Sequence, residues 1–174
     1  LSLKRLLPIA EDNRLTVNDK MSLSESDFAF YKKWFNKILI LTREKDQVVS
    51  SDYLSSTNKQ TVGANTDHYD WKSNSAGQDN LSKIILAVLS FKKLQEKYKE
   101  NYYGGILAID EIDASIYPGS QKILFDSLIK FASSFKIQIV FTTHSLTILE
   151  KANELQSESK RQGQINLMFL TKED

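Results

Sequence analysis

The fold is decided by one stretch of sequence, Gly104-Gly105-Ile106-Leu107-Ala108-Ile109-Asp110-Glu111-Ile112-Asp113. Residues 106–109 form an apolar run without alternation of apolar and polar positions, which predicts a strand buried on both faces within a parallel sheet. The run ends in three carboxylates, Asp110, Glu111 and Asp113. Because open α/β sheets bind ligands at the carboxyl ends of their strands, these carboxylates are candidate site residues.

A second apolar run, residues 137–141, ends in Thr142-Thr143-His144-Ser145. If both strands are parallel, this polar tip lies at the same edge of the sheet as the carboxylates. An acidic pair after a strand is also a common helix-capping turn, and a lone histidine there is often structural. The order of the two tips, together with Ser75-Ala76-Gly77-Gln78-Asp79 upstream, favours a functional site.

The composition is that of an ordinary globular protein. Its 174 residues are enough for one domain with a sizeable core, and 41% are hydrophobic and 26% charged. A net charge of +1 gives no argument for an acidic, nucleic-acid or membrane partner. The absence of cysteine excludes a disulfide framework and a thiolate metal site. Without a membrane-length apolar run or a signal-peptide pattern, we expect a cytoplasmic protein with no membrane partner.

The first part of the chain, residues 1–72, gives simpler signals. Ser24 resembles a helix cap, and the apolar spacing behind it predicts an amphipathic helix over residues 25–42. Short β-like pieces at 47–49 and 60–62 predict a small β excursion such as a hairpin. A local group of three residues could bind a metal, although a polar loop accounts for it more simply: Asp67, His68 and Asp70.

From residue 73 onward, helical and strand patterns alternate. Helices are predicted over 79–99, 120–134 and 145–154, and strands over 106–109, 136–142 and 165–170. This order predicts the α/β class, with a largely parallel sheet flanked by helices. We therefore divide the chain into an N-terminal helical and β region (1–72) and an α/β lobe (73–174), within a single compact domain.

The start of the helix predicted over 79–99 has two interpretations. Its free backbone N–H groups and small residues would accept an anion. Alternatively, Asp79 caps the same N–H groups and the turn has a structural role.

Residues 73–149 resemble the C-terminal half of ABC-type ATPases. Within that group they look most like the SMC-like and related "AAA family" ATPases of DNA repair and anti-phage defence, including those of Septu and retron-associated systems. Four motifs in order carry the resemblance: Ser75-Ala76-Gly77-Gln78 resembles the signature, Ile106 to Glu111 the Walker B strand, Ile112 to Ser115 the D-loop, and Thr142-Thr143-His144-Ser145 the switch-histidine loop.

The resemblance implies ATP and Mg²⁺ as cofactors, with one metal-binding residue and two catalytic residues. Asp110 would hold Mg²⁺ through a water, since a hard cation prefers oxygen ligands. Glu111 would orient or deprotonate the water that attacks the γ-phosphate, and His144 would contact that phosphate. Phosphoryl transfer needs mainly positioning and charge neutralisation, which such groups supply.

The resemblance also implies a second ATPase head as partner. Ser75, Gly77 and Gln78 would contact a nucleotide held by that head, and Asp113 would lie at the seam between the two. The resemblance further implies an effector nuclease and DNA as candidate partners.

One expected motif is missing, because no Gly-x-x-x-x-Gly-Lys-Ser/Thr occurs in the sequence. Without this phosphate-binding loop, we expect the chain alone to bind ATP poorly and to be inactive. Three explanations remain open: a fragment of a longer ATPase, a subunit that completes a partner's site, or a degenerate relative. The start at Leu1 without Met favours the fragment.

Three functions also remain open. The first is the C-terminal part of an ATP-hydrolysing SMC-like head, which the retained Glu111 favours. The second is a non-hydrolysing lobe that binds and regulates a P-loop partner. The third treats Asp110, Glu111 and Asp113 as the carboxylate set of a Mg²⁺-dependent nuclease, which would leave the signature turn and His144 unexplained.

Overall fold

The computed structural model describes residues 16–18, 23–56, 59–157 and 164–169. Its helices and strands follow one another in this order: β1 (Thr16–Val17), α1 (Glu25–Ile38), β2 (Ser50–Ser56), β3 (Lys59–Asn65), α2 (Ala76–Tyr98), β4 (Gly105–Ile109), α3 (Pro118–Phe135), β5 (Ile137–Phe141) and α4 (Leu146–Ser157). Short 3₁₀ turns precede β2 and flank α2. Among the described helices, none is long and apolar enough to cross a membrane.

The predicted β excursion is an antiparallel hairpin of β2 and β3, with Tyr53 opposite Val62, and β1 pairs with the outer edge of β2. The predicted piece at 60–62 lies within β3, whereas the piece at 47–49 precedes β2 and is not a strand. The Val48 side chain is buried in the core, and its N–H donates to Asn36 Oδ1 at 3.0 Å rather than to a neighbouring strand.

The α/β lobe contains a parallel pair, β4 and β5, in register from Gly105 opposite Ile137 to Ile109 opposite Phe141. The connection between them is α3, so β4, α3 and β5 form the crossover unit that parallel strands require. Helices therefore flank small sheets, and the predicted α/β class is confirmed.

The prediction that the 106–109 strand is buried on both faces is wrong. Leu107 and Ile109 lie in the core, whereas Ile106 is 68% exposed, and Val140 of β5 is 47% exposed. The buried and the exposed side chains lie on opposite faces of the sheet because side chains alternate along a strand. A crossover helix covers one face of its sheet, and no element among the described residues covers the other.

One hydrophobic core draws on both sides of residue 72. It includes Tyr31 and Phe35 of α1, Val62 of β3, Ile85 of α2 and Leu124 of α3. Burying apolar side chains of this size contributes roughly 1.5–3 kcal/mol each relative to leaving them exposed. The division proposed at residue 72 is therefore not marked by separate cores.

Polar contacts also hold α1 against its neighbours. The Tyr31 hydroxyl lies 2.7 Å from Ser82 Oγ in a buried hydrogen bond, and Asp27 forms a 2.6 Å ion pair with Lys93. On another side, Trp34 packs edge-on against Phe131 of α3, with ring centroids 4.5 Å apart. The helix predicted over 25–42 ends at Ile38 instead, because Ile40 has φ 58° and cannot continue it, but it is an integral part of the fold.

The predicted last strand is not formed over 165–169, and Leu170 lies outside the described residues. Ile165 and Leu167 pack against the core, whereas Met168 and Phe169 are exposed. The apolar alternation is present, but a strand also needs a hydrogen-bonded neighbour, and none of the described strands pairs with this segment.

Candidate functional site

The two polar tips meet at the carboxyl edge of β4 and β5. The Thr142 N–H donates to the Ile109 carbonyl at 3.1 Å, and the Ile112 N–H donates to the Thr142 carbonyl at 3.1 Å. These bonds continue the parallel pairing beyond the last residues of the strands. The structure thus places the acidic loop (residues 110–117) beside the switch loop (residues 142–145), as expected from parallel strands.

Thr142 contacts both residues at the start of the acidic loop. Its hydroxyl donates to Asp110 Oδ1 at 2.6 Å and accepts from the Glu111 N–H at 2.7 Å. The Asp110 side chain is exposed, and Glu111 is half-buried. Both residues are therefore accessible to a ligand, while one hydroxyl joins the Asp110 carboxylate and the Glu111 backbone to the switch loop.

The backbone of the acidic loop is strained at two non-glycine residues. Glu111 has φ 49° and Ser115 has φ 61°, both in the left-handed region. That conformation costs roughly 1–2 kcal/mol for a residue with a side chain. Ile112, which is 1% exposed, anchors the loop between these two positions. Strain of this kind is commonly found at functional sites.

Asp113 binds the second threonine of the switch loop. Its Oδ1 accepts from the Thr143 hydroxyl at 2.5 Å, and that hydroxyl also accepts from the Ser145 N–H at 3.1 Å. The acidic loop is therefore fastened to the switch loop a second time. Asp113 is half-buried, so its carboxylate still reaches the surface.

His144 lies between two anchored neighbours. Its side chain is exposed and makes no hydrogen bond with the described residues, whereas Thr143 and Ser145 are both bonded. Ser145 starts α4, since its hydroxyl accepts from the Ile148 N–H at 3.3 Å and donates to Gln121 Oε1 at 2.5 Å. This arrangement leaves the imidazole free to contact a ligand from a fixed position.

The turn before α2 is a capping box. The Ser75 hydroxyl accepts from the Gln78 N–H at 3.3 Å, and Gln78 Oε1 accepts from the Ser75 N–H at 2.7 Å. The Gln78 amide also donates to the Tyr69 hydroxyl at 2.8 Å. The helix therefore starts at Ala76 rather than near 79, and Asp79 is a buried first-turn residue rather than the cap.

Gly77 packs the turn before α2 (residues 75–78, the signature turn) against the acidic loop of the same chain. A Cβ at this position would lie 2.1 Å from the Ser115 carbonyl oxygen, which only a glycine avoids. The neighbouring Asn80 donates from Nδ2 to the Ala114 carbonyl at 3.3 Å. The signature turn and the acidic loop consequently share one contact surface, with Ser75 exposed beside it.

The site offers oxygen ligands of the kind that Mg²⁺ prefers. This ion is usually held in proteins by one or two carboxylates together with waters and substrate phosphates, and the exposed Asp110 fits such a role. Within the described residues, however, no group of three or more His, Cys, Asp or Glu side chains could hold a metal. A nuclease-type carboxylate cluster at 110–113 therefore has no support.

Among the described residues, Asp67, His68 and Asp70 do not form a metal-binding group either. Asp70 instead caps the 3₁₀ turn that follows it, because its Oδ1 accepts from the Lys72 N–H at 3.1 Å. The structure gives this segment the role of a polar loop.

Three residues that hold the site together received no role from the sequence. Thr142 and Thr143 were visible beside His144, but their partners are 30 to 32 residues away and no local pattern indicates them. Gln121 is 7% exposed and links Ser145 to the Ile116 carbonyl, which accepts from its Nε2 at 2.7 Å. The only sequence feature that could have indicated this role for Gln121 is its place, as a polar residue, on the buried side of a predicted helix.

A comparison with protein families supports the ATPase class. The family described as AAA ATPase domain matches residues 3–149, and so extends well into the region where we found no family motif. One similar solved structure comes from work on the ATP-driven dimerization and DNA stimulated activation of SMC ATPases. It is 16% identical, with a TM-score of 0.45, and the match covers 74% of this chain and 72% of that chain. At this score the likeness adds nothing to the assignment.

A comparison with curated proteins found no match. The family match spans well over half of the sequence. The chain therefore belongs to the AAA ATPase domain family.

Proposed function

We propose that this chain is the catalytic and signature part of an SMC-like, ABC-type ATPase head, which hydrolyses ATP at the interface with a second head. The observation that carries the proposal is the pairing of the acidic loop with the switch loop. Asp110, Glu111 and His144 lie at the ends of two hydrogen-bonded strands, on loops joined by the two threonine bridges. Membership of an ATPase family supports the same chemistry.

The proposed roles follow from the accessibility of each group. The half-buried Glu111 carboxylate orients a water and accepts its proton as the water oxygen attacks the γ-phosphorus. The bond from that phosphorus to the β,γ-bridging oxygen breaks, which leaves ADP and inorganic phosphate. His144, exposed on an anchored loop, contacts the γ-phosphate. Asp110 holds Mg²⁺, which supplies charge neutralisation on the phosphates when bound.

The signature turn is the proposed contact with the second head. Ser75 is exposed at the N-terminus of a 23-residue helix, where the helix dipole favours an anion. Gly77 packs the turn on the acidic loop that carries Asp113. A nucleotide held by the partner would contact the exposed Ser75, with the buried Gly77 directly behind it, while Asp113 lies at the seam. Gln78 contributes by fixing the turn, since its amide is engaged in the capping box.

The phosphate-binding loop has to come from outside these 174 residues, because the sequence contains none. In this proposal residues 73–174 form the catalytic lobe, and core residues described between Leu23 and residue 72 brace it through the shared core. A place in DNA repair or anti-phage defence, in the cytoplasm and with DNA or an effector nuclease as partner, rests on the motif resemblance alone.

The test is ATP binding and hydrolysis with Mg²⁺, measured for the chain alone and for an assembly that includes an ATPase segment with the phosphate-binding loop. We expect the chain alone to be inert and the completed assembly to hydrolyse ATP. Tight ATP binding by the chain alone would show that the site is built in another way. An inert complete assembly would contradict the proposed activity.

A further inference from the structure

Thr142 joins the two carboxylate residues at the start of the acidic loop. Its hydroxyl donates to Asp110 Oδ1 at 2.6 Å and accepts from the Glu111 N–H at 2.7 Å. Such a bridge needs one atom that is both donor and acceptor. Among side chains of this size, serine and threonine supply that atom and valine does not.

The hydroxyl is itself held in place by the backbone. The Thr142 N–H donates to the Ile109 carbonyl, and the Thr142 carbonyl accepts from the Ile112 N–H, each at 3.1 Å. These bonds flank the two residues that the hydroxyl contacts. The bridge is therefore fixed relative to the strand ends, independently of where the carboxylates point.

Asp110 and Glu111 both depend on this contact. The exposed Asp110 carboxylate makes no other hydrogen bond within the described part of the chain, so without Thr142 it would rotate freely in solvent. Glu111 has φ 49°, a conformation that residues with side chains rarely adopt, and its N–H is held by the same hydroxyl.

The geometry points to Thr142 as a positioning residue for ATP hydrolysis, which sets the direction of the metal-binding carboxylate and the backbone of the catalytic glutamate. Thr142 acts through these two neighbours and need not touch the nucleotide. The inference rests on the proposed function, because it assigns Thr142 to the same site.

The first test is Thr142→Val in the complete ATPase assembly. The variant keeps the branched shape and removes the hydroxyl. We expect kcat to fall by roughly 10- to 100-fold, as is common when a partner of a metal ligand is removed, and the Mg²⁺ concentration for half-maximal activity to rise. Thr142→Ser should restore most of the activity. Thr42→Val is the matched control, because Thr42 is exposed in the loop after α1.

The second test is amide hydrogen exchange at Glu111, measured by NMR on this chain. The bridge predicts slow exchange in the wild type and in Thr142→Ser, and fast exchange in Thr142→Val, with neighbouring core amides unchanged. A general loss of folding would instead speed up exchange at core residues such as Ile109.

Two results would overturn the inference in different ways. An active assembly whose kcat and Mg²⁺ dependence are unaffected by Thr142→Val removes the positioning role and leaves the proposed function standing. A wild-type assembly that hydrolyses no ATP removes the proposed function, and the positioning role with it.

Discussion

Gly77 lies so close to Ser115 that a Cβ built on the glycine would come within 2.1 Å of the serine carbonyl oxygen. The contact joins the first turn of α2 to the middle of the acidic loop, two elements separated by 38 positions in the sequence. Because the obstacle is backbone rather than a flexible side chain, the loop and the helix must keep this spacing together.

Gly77→Ala should therefore destabilise the protein by about 1–3 kcal/mol, the usual cost of forcing extra atoms into a packed position. Urea unfolding followed by circular dichroism would measure the change. Gly119→Ala is the matched control: its Cβ would meet its nearest neighbours, Tyr117 and Ile40, at 3.5 Å or more, so its stability should stay near that of the wild type. Equal stability of the two variants would contradict this contact.

The left-handed backbone of Glu111 should make the stability of a variant depend on which residue replaces it. Its left-handed backbone is easily adopted by glycine and costs alanine roughly 1–2 kcal/mol. Glu111→Gly and Glu111→Ala both remove the carboxylate, so neither should support hydrolysis. The glycine variant should nevertheless unfold at a higher temperature than the alanine variant, in thermal melts under the same conditions. An alanine variant as stable as the glycine variant would argue against a strained backbone.

The ion pair between Asp27 and Lys93 gives the fold a pH dependence. Burial by itself would raise the pKa of Asp27, but hydrogen bonds with Lys93 and Ser24 and the charges of Lys93 and Lys92 outweigh it, so this pKa lies below the usual 3.8. The stabilisation is therefore complete well above pH 3.8 and is lost as the pH falls through the lowered folded-state value.

Asp27→Asn should accordingly lower the free energy of unfolding near pH 7 by about 1–2 kcal/mol, with a smaller difference from the wild type below pH 3.8. Denaturant titrations across this pH range would show the trend, and Asp126→Asn, at an exposed position of α3, is a suitable control. A difference that stays constant with pH would rule out an ionised Asp27 as the source.

Local patterns were enough to predict most of the helices. Ser24 caps α1 as expected, since its hydroxyl accepts from the Asp27 N–H at 3.3 Å. The start of α2 was predicted near 79, although the signal for 76 was present: Ser75 and Gln78 are spaced as a capping box. The error came from giving the cap to Asp79, which is buried in the first turn instead.

Features that depend on distant parts of the chain were not predictable in the same way. The apolar run at 106–109 showed that a strand forms, but not whether a second layer covers it, and Ile106 proves to be exposed. The meeting of the two loops followed from parallel pairing of β4 and β5, whereas the Thr142 and Thr143 bridges depend on side-chain positions about thirty residues apart. Sequence therefore indicated the location of the site better than its internal bonds.

The central claim is that Glu111 performs the hydrolytic step, and the most direct measurement compares Glu111→Gln with the wild type in the completed assembly. Glutamine keeps the size of the side chain and the Thr142 contact to the backbone N–H, but it cannot accept the proton of the attacking water. We expect ATP still to bind and the two heads to stay closed, while turnover is abolished. If Glu111→Gln hydrolyses ATP at the wild-type rate, the role assigned to Glu111 is wrong.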